Sequence, residues 1–432
     1  RRPTLLHKRL LDEMQRRPLG EIRAHQLQAL RALLGHAHEH VPFYRRRMEA
    51  AGLAPDAVQD LSDLRRLPIW GRGEPDATVE ARSSLAPPLP EIRKVTGGTT
   101  GEPLVFGYDQ GSEAWRQAMR LRGWAWAGYR PGAPVFYYWG VLPRDLSKPA
   151  RAKIALDRYI RREHYESCMR RDEASLARAV TALREHAPEV IVCYTQAGGD
   201  LARHVNQHGA RDWGDTPVIC CGEPLSSRDR DAMSAAFGPV FESYGCREVM
   251  LIGMECEAHD GMHLSLENLI VEVVVREGGA ERPARPGERG EVVLTDLHNY
   301  GMPFIRYAVG DYAIAGDEAP CACGRTLPRI HAIDGRVLEA LRDRGGARID
   351  GMLFNLLFSV AGETVKYWQA VQHKDLSITL RLVPTAALDE AALAHIRRSL
   401  EGNLPGLPLR IERVKDIPLT QSGKRRRIIV ER

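Results

Sequence analysis

The residues best suited to chemistry lie in four short segments, and the first of these could hold an anion. The segment KVTGGTTGEPLVFGYD contains, without interruption, Thr96, Gly97, Gly98, Thr99, Thr100 and Gly101. Successive glycines allow backbone N–H groups to converge on one point, and threonine hydroxyls add donors, as phosphate oxygens require. The segment is not a P-loop, because Glu102 and Pro103 follow it instead of Gly-Lys-Ser/Thr. Composition alone favours an anion-binding loop and the tip of a Gly/Thr hairpin equally.

The second and third segments place a carboxylate beside a turn. ESYGCREVMLIGMEC puts Tyr244, Gly245 and Glu248 just after an apolar run, and such a Glu is a natural Mg²⁺ ligand, because Mg²⁺ favours one or two carboxylates together with substrate phosphates. In MPFIRYAVGDYA, Asp311 follows a glycine and could accept both hydroxyls of a ribose. The alternatives are a Glu in a surface turn and an Asp that stabilises its own hairpin.

The fourth segment, PLTQSGKRRRIIV, presents a lysine on a Ser-Gly turn near the end of the chain. Lys424 is extended and cationic there, so it could reach a transferred phosphoryl or acyl oxygen. A solvated basic tail is the alternative for the same residues.

Cysteine and histidine residues form a further group with the composition of a metal site. Cys256 and His263 lie in one segment, and Cys321 and Cys323 lie in another. Three thiolates and one imidazole are a ligand set of structural zinc, which would tie two distant segments together. His259 competes with His263 for the fourth position, and free thiols are the alternative to a metal.

Hydrophobic periodicity predicts the elements that must position these residues. Residues 21–53, 113–126 and 173–185 have the apolar spacing of helices, the first with a break at Val41-Pro42. Apolar runs ending in Gly140, Thr195 and Gly222 read as buried strands between helices, which predicts an α/β domain with sites at the strand ends. The Gly/Thr segment links one strand to another.

The second half of the chain changes in character. From Leu264 onward, β runs dominate and predict a β subdomain. After Gly335 the pattern becomes that of a small α+β unit of about 95 residues. We therefore predict an α/β fold, with a large N-terminal domain of residues 1–334 that includes the β subdomain, and a small mobile C-terminal domain of residues 335–432.

Composition limits the class of protein. The 432 residues include 61 basic and 56 acidic side chains, a balance too even to indicate a nucleic-acid partner. No stretch approaches the ~18 apolar residues that cross a bilayer, and the N-terminus is polar and periodic rather than a signal peptide. These features predict a cytoplasmic protein without membrane contact. They leave the oligomeric state open, with a homodimer as the candidate.

The four segments, in this order, resemble the adenylate-forming (acyl/aryl-CoA synthetase) superfamily, and within it the phenylacetate–CoA ligase branch with its capsule-biosynthesis-like members. TGGTTGEP is similar to the family's phosphate loop, YGCRE to its Tyr-Gly-x-x-Glu segment and RYAVGD to its ribose-binding Gly-Asp. IDGR matches the hinge between the domains, and PLTQSGKRRR matches the Pro-x-x-x-Ser-Gly-Lys tail. The resemblance runs from roughly Ile22 to the C-terminus.

The resemblance implies a role for each matched residue. The Gly/Thr segment would hold the β- and γ-phosphates of ATP, Tyr244 would lie against the adenine, and Glu248 would bind Mg²⁺. Asp311 would take the ribose hydroxyls with help from Arg336, and Lys424 would bridge the acyl carboxylate and the α-phosphate. We also assign four further residues to the nucleotide site: Gly222, Glu223, Gly245 and Arg325.

The implied reaction is the ATP-dependent activation of a carboxylic acid. The acid would become its adenylate with release of pyrophosphate, and the small domain would then rotate to admit a thiol, most simply that of coenzyme A. Two other outcomes keep the first step, namely transfer of the activated group to an amine (amide or diazo formation) and transfer of AMP to a hydroxyl. A nucleotide-binding scaffold without activity is the non-enzymatic alternative.

Two positions depart from the family pattern. Arg247 replaces the usual Thr or Ser before Glu248, and we assign it a catalytic role in meeting a phosphate or carboxylate. After Arg336 the usual acidic pair is reduced to Glu339, because Leu338 occupies the Asp position. This departure concerns the hinge between the domains and not the residues of the adenylation step.

The acid pocket is expected between the strand ends. Its candidate residues are Tyr138, Trp139, Gly140, Tyr194, Thr195 and Gln196. Aromatic side chains at this place fit a flat or aryl acid. Ordinary core packing is the alternative for the same aromatic residues.

Overall fold

The computed structural model describes most of the chain. The described residues are 2–95, 104–140, 147–277, 279–336, 341–344, 348–349, 354, 364–385, 388–404, 406–419 and 425–431. They divide into two compact units, the larger ending at Ile333 and the smaller beginning at Asp334.

The elements are numbered in chain order. The α-helices are α1 (Arg2–Met14), α2 (Leu19–His40), α3 (Pro42–Ala50), α4 (Val79–Arg82), α5 (Gln110–Trp126), α6 (Lys148–Arg161), α7 (Glu173–His186), α8 (Thr195–Gln207), α9 (Ser227–Ala236) and α10 (Glu390–Asn403). The strands are β1 (Ile92–Val95), β2 (Val105–Tyr108), β3 (Val135–Trp139), β4 (Glu163–Ser167), β5 (Val190–Tyr194), β6 (Val218–Cys221), β7 (Val240–Cys246), β8 (Met250–Glu255), β9 (Met262–Leu264), β10 (Leu269–Glu277), β11 (Ala280–Pro283), β12 (Arg289–Asp296), β13 (Tyr307–Ala315), β14 (Arg329–Arg336), β15 (Leu341–Arg342), β16 (Arg348–Ile349), β17 (Val365–Gln372), β18 (Ile378–Pro384), β19 (Leu409–Arg413) and β20 (Ile428–Val430).

A 12-stranded sheet forms the centre of the larger unit, in the order β11-β10-β12-β13-β14-β9-β8-β7-β6-β5-β3-β4. The strands β3 to β7 are parallel to one another, and β7 to β9 continue antiparallel. The strands of the predicted β subdomain therefore extend the sheet of the α/β part. Parallel strands need helical crossovers, and α7, α8 and α9 supply them.

Successive side chains of the parallel strands pack against hydrophobic cores on opposite faces of the sheet. In β3, Val135 and Tyr137 belong to the core that includes the N-terminal helices, while Phe136 and Tyr138 belong to the core under α7 and α8. Successive strand residues point to opposite faces, and a sheet buried on both faces therefore reads as a continuous apolar run. Burial on both faces therefore explains why these strands have continuous apolar sequences and not alternating ones.

Local signals fix several helix ends. Val41 separates the end of α2 from Pro42, the first residue of α3, so the predicted break at Val41-Pro42 is confirmed. Asp109 caps α5 by accepting from the N–H of Ser112, and its other oxygen accepts from the N–H of Tyr300 and Gly301. This carboxylate therefore ties the start of α5 to the loop before β13.

In the smaller unit, a four-stranded sheet in the order β19-β18-β17-β20 packs with α10. Its central pair is antiparallel and its two outer pairs are parallel. Leu380, Leu382, Ile396 and Leu400 are buried between sheet and helix, which is the packing expected of an independent α+β unit. Across the described parts of both units, the helices are too short or too polar to traverse a lipid bilayer.

Candidate active site

Two of the predicted nucleotide residues, Tyr244 and Asp311, are in contact. The hydroxyl of Tyr244 donates to Oδ2 of Asp311 over 3.1 Å, and both side chains are buried. Tyr244 lies on β7 and Asp311 on β13. The aromatic ring and the carboxylate thus present a flat apolar surface and a hydrogen-bond acceptor side by side.

The turn after Tyr244 requires a glycine. A Cβ atom on Gly245 would lie 1.9 Å from the carbonyl oxygen of Met250, so no side chain fits there. The pairing register between β7 and β8 shifts at this point, as in a β-bulge that redirects the strand. Gly245 therefore allows β7 to bend toward the residues that follow it.

Glu248, the predicted magnesium ligand, is buried and paired. Its Oε1 accepts from Nη2 of Arg72 over 2.9 Å and from the hydroxyl of Tyr307 over 3.2 Å, and only 1% of its side chain is exposed. Burial and the Glu248 carboxylate both raise the pKa of the Tyr307 phenol, so this hydroxyl keeps its proton and acts as a donor. A carboxylate held in this way has a fixed orientation.

The backbone of the same turn is held by α5. The guanidinium of Arg116 donates to the carbonyl oxygen of Arg247 over 2.6 Å and to that of Glu248. Arg116 is itself buried and stacks over the Tyr108 ring at 4.1 Å. Arg116 is a positioning residue for the turn.

These contacts show that the sheet curves strongly. β14, β9 and β8 lie between β13 and β7 in the hydrogen-bonding order. Four steps of about 4.8 Å would separate β13 and β7 by about 19 Å in a flat sheet. Tyr244 and Asp311 nevertheless touch, so the curvature brings the two strands together and forms the site.

Arg247 reaches toward the Gly/Thr segment. This exposed side chain donates through Nη1 to the carbonyl oxygen of Val95 over 2.9 Å. Val95 ends β1, which pairs antiparallel with β2, so the Gly/Thr segment joins two strands as expected. The residues Thr96 to Gly101 themselves lie outside the described part of the chain.

Lys424 also lies outside the described residues, but both of its flanks are placed. Leu419 and Arg425 form an antiparallel bridge, and Arg425 stacks over the Tyr367 ring at 3.8 Å and donates to the carbonyl oxygen of Ile417. Arg336 is the last residue of β14.

The candidate acid-pocket residues meet at the ends of β3, β5 and β6. The rings of Trp139 and Tyr194 stack with their centroids 3.9 Å apart. The Thr195 hydroxyl donates to the carbonyl oxygen of Glu223, and the N–H of Gln196 donates to its Oε2.

The backbone conformation of Gly222 and the pKa of Tyr194 describe the surroundings of these residues further. Gly222 has a φ of +82°, a left-handed conformation that favours glycine, and it places Glu223 under the first turn of α8. Burial raises the pKa of Tyr194 to about 12, while the nearby guanidinium of Arg247 acts in the opposite direction.

Two candidates fit this pocket less directly. Tyr138 is fully buried within the core under α7 and α8, as the core-packing alternative requires, and burial raises its pKa. Gly140 is half-buried at the end of β3.

The four predicted zinc ligands converge. Their ligand atoms all lie within 4.8 Å of one another. The Sγ atoms of Cys256 and Cys321 are 3.7 Å apart, and Sγ of Cys323 is 3.3 Å from Nε2 of His263. The Nδ1 atom of His263 contacts the carbonyl oxygen of Leu327 over 2.7 Å, which directs Nε2 toward the thiols.

His259 lies outside this cluster, since its ring contacts Phe241 and its Nδ1 lies 3.4 Å from Oε2 of Glu255. Backbone N–H groups of Ala258 and Arg325 point at two of the sulfur atoms over 3.4 Å each. Such donors accompany metal-bound thiolates, so the residues fit a tetrahedral Cys₃His zinc site.

The contacts of Arg325 lie beside this cluster. Its guanidinium pairs with Glu257 over 2.7 Å, donates to Gln15 and stacks over the Trp126 ring at 4.8 Å. The assignment of Arg325 to the nucleotide stays a prediction that these contacts do not support.

Sequence reasoning missed three residues that shape the site. Tyr307 lies four residues before Asp311 on β13, but the pairing register with β12 shifts between them and Gly310 has a φ of +87°, so strand alternation could not have assigned Tyr307 to the site. Arg72 lies in a Gly/Pro-rich loop and Arg116 lies in α5. Neither residue belongs to a sequence motif that would have drawn attention to it. Arg306, next to Tyr307, is turned away and buried against Glu272 over 3.1 Å.

Comparisons with known proteins identify relatives. No family model matches the chain. It is 29% identical over 392 residues to the phenylacetate-coenzyme A ligase of Thermus thermophilus, covering 88% of this chain and 82% of the relative. The enzyme of the same name from Escherichia coli K12 is 27% identical over 347 residues, covering 78% and 76%.

A solved structure of 2-hydroxyisobutyryl-CoA ligase in the postadenylation state, bound to R3-HIB-AMP, is also similar. The TM-score is 0.75 at 23% identity, and the match covers 98% of this chain and 92% of that one. This likeness confirms the predicted fold class, an α/β domain followed by a smaller C-terminal domain.

Proposed function

Because this chain belongs to the adenylate-forming superfamily, with phenylacetate-coenzyme A ligases among its relatives, we propose that it is an ATP-dependent acid–thiol ligase. It activates a carboxylic acid as the acyl adenylate, releases pyrophosphate, and transfers the acyl group to coenzyme A with release of AMP. The observation that carries this proposal is the convergence of Tyr244 and Glu248 from one turn onto Asp311 and Tyr307 of β13.

Residues of this turn and of β13 each have a role in the first step, the formation of the adenylate. Asp311, oriented by the Tyr244 hydroxyl, accepts the ribose hydroxyls, and the Tyr244 ring lies against the adenine. Glu248 is the carboxylate that would hold Mg²⁺, which supplies positive charge to the phosphates when it is bound. The Gly/Thr segment, which begins at the residue after Val95, holds the terminal phosphates.

The chemistry is an in-line displacement. A carboxylate oxygen of the acid attacks the α-phosphorus, the bond to the bridging oxygen breaks, and pyrophosphate leaves with the electron pair. Arg247, and Lys424 from the C-terminal tail, stabilise the negative charge that builds on the phosphoryl oxygens. In the second step the thiol attacks the acyl carbon and AMP leaves, while the thiol proton passes to solvent.

The stacked pair of Trp139 and Tyr194 favours an aryl or otherwise flat acid. Both rings stand at strand ends next to Thr195 and Gln196, whose polar groups are held by Glu223. An apolar surface with a few fixed polar groups is typical of a small-molecule pocket.

A panel of acids tests the proposal. The enzyme is incubated with MgATP and one acid at a time, without and then with coenzyme A, and pyrophosphate and thioester are measured. We expect acid-dependent pyrophosphate release and a thioester for at least one aryl acid. Adenylate that hydroxylamine captures but coenzyme A does not would support an amine or hydroxyl acceptor instead. No acid-dependent pyrophosphate release across the panel would overturn the proposal.

We also propose that the Cys₃His cluster binds one structural zinc ion. The ion would link the segment after β8 to the segment before β14, close to the curved part of the sheet. Metal analysis of the purified protein should give one zinc per chain, and Cys256→Ser should lose it, because the thiolate supplies a ligand that a hydroxyl replaces poorly. Equal zinc in wild type and Cys256→Ser would contradict the assignment, and Cys246→Ser, which changes a cysteine outside the cluster, is the matched control.

A further inference from the structure

We propose that a second metal site lies on the surface between α7 and α8, formed by Glu173, His204 and His208. One ligand atom from each residue lies within 4.8 Å of the other two. The site is independent of the Cys₃His cluster and of the adenylation chemistry. Two imidazoles and one carboxylate favour a divalent transition-metal ion such as Zn²⁺ or Ni²⁺ over Mg²⁺ or Ca²⁺.

The distances are those of metal ligands. Oε1 of Glu173 lies 3.4 Å from Nδ1 of His204 and 3.1 Å from Nε2 of His208. Two ligands of a tetrahedral ion with bonds of about 2.0–2.2 Å stand roughly 3.3–3.6 Å apart. An ion could therefore enter with small side-chain movements and retain a fourth position for water.

The orientation of the rings supports the same conclusion. Nδ1 of His208 contacts the carbonyl oxygen of His204 over 2.9 Å, which assigns the proton to Nδ1 and leaves the lone pair on Nε2. Nδ1 of His204 is buried and makes no hydrogen bond within the part of the chain that the structure describes. His204 is 6% exposed, so its buried Nδ1 has the Glu173 carboxylate 3.4 Å away but makes no hydrogen bond to a described residue, and a bound metal ion would supply the missing interaction.

The local sequence holds the two histidines in place. His204 lies in the last turn of α8 and His208 is the residue directly after the helix, four positions on, so both rings lie on the same side, and their centroids are 4.4 Å apart. Glu173 is the first residue of α7, which is capped by Asp172. A bound ion would therefore tie the start of α7 to the end of α8.

The same face of α8 leads back to the acid pocket. Gln196 and Asp200 precede His204 at intervals of four residues, and Asp200 is held by Arg171 and Arg203. Gln196 and His204 are about 12 Å apart along the axis, at 1.5 Å per residue. The metal site and the proposed substrate site thus share one rigid helix.

Nickel binding to the full-length enzyme, with any purification tag removed, tests the proposal without turnover. After dialysis into metal-free buffer without chelator, Ni²⁺ is titrated by calorimetry near pH 7.5. We expect one Ni²⁺ per chain in addition to the metal already present. Glu173→Gln and His208→Gln, both at exposed positions, should weaken this binding at least about tenfold.

Glu185→Gln, which neutralises another exposed carboxylate on α7, is the matched control and should bind Ni²⁺ as the wild type does. A second readout is the melting temperature, which Ni²⁺ should raise in the wild type and the control more than in the two variants. Absence of an additional Ni²⁺ in the wild type, as expected if Glu173 only pairs with protonated histidines, overturns the proposal. Equal affinity in wild type and variants overturns it as well, because the ion then binds elsewhere.

Discussion

Replacement of Lys424 by alanine is expected to reduce acid-dependent ATP–pyrophosphate exchange by about 10³-fold, while the affinity for ATP changes only a few-fold. We propose that this lysine meets the acyl carboxylate and the α-phosphate where charge develops in the transition state, and loss of one such group commonly costs 10²–10³-fold or about 3–4 kcal/mol. The anchored flanks at Leu419 and Arg425 should survive the change, because neither contact involves Lys424. Exchange is measured with a saturating acid, and ATP binding is measured by calorimetry.

Lys415→Ala is the matched control for this variant. Lys415 is an exposed cation in the same unit, so its loss changes the net charge equally and should leave exchange within about twofold. If Lys424→Ala loses ATP binding as much as it loses exchange, the lysine serves binding in the ground state and its proposed role is wrong.

Replacement of Glu248 by glutamine should lower the same exchange by about 10²–10³-fold and raise the Mg²⁺ concentration needed for half-maximal rate. The neutral amide can still accept from Arg72 and Tyr307, so the local packing should persist. It is a poor ligand for Mg²⁺, which prefers carboxylates. Exchange is measured across a Mg²⁺ series, and the melting temperature is measured in parallel.

Glu74→Gln provides the comparison, since Glu74 lies in the same loop as Arg72 and pairs with Arg47 over 3.5 Å. It should behave as wild type in the Mg²⁺ series. An unchanged Mg²⁺ requirement in Glu248→Gln would contradict the proposed role and leave Glu248 as a structural partner of Arg72. A fall in melting temperature without a change in exchange would contradict the Mg²⁺-binding role as well.

The sequence predicts the parallel half of the sheet well, because each strand there is buried on both faces. The runs VFYYW and VIVCY became β3 and β5, and the helical periodicity before the latter became α7 almost to the residue. Local rules were sufficient at these positions, since helix caps and apolar spacing act over a few residues. The Cys₃His group was likewise predictable, because its residue types limit the chemistry.

Contacts between distant residues could not be predicted in this way. Arg72 and Glu248 are 176 positions apart, and their pairing depends on the curvature that brings β7 near β13. No periodic pattern records that curvature, because apolar spacing reports which face of a strand is buried and not how far successive strands twist relative to one another. The different surroundings of Arg306 and Tyr307 were equally hidden, because Arg306 precedes β13 with a φ of +50°, a left-handed conformation that its residue type does not predict.

In the acid pocket that we propose, the stacked rings of Trp139 and Tyr194 would limit how fast an acid can enter. Their centroids are 3.9 Å apart, which leaves no room for a third ring. A flat acid that inserted between them would need the rings about 7 Å apart, the outer limit of an aromatic pair. Entry by that route must wait for the pair to open, so association would saturate at the opening rate. An acid that instead lies across the edge of the pair would associate at a rate that keeps rising with the acid concentration.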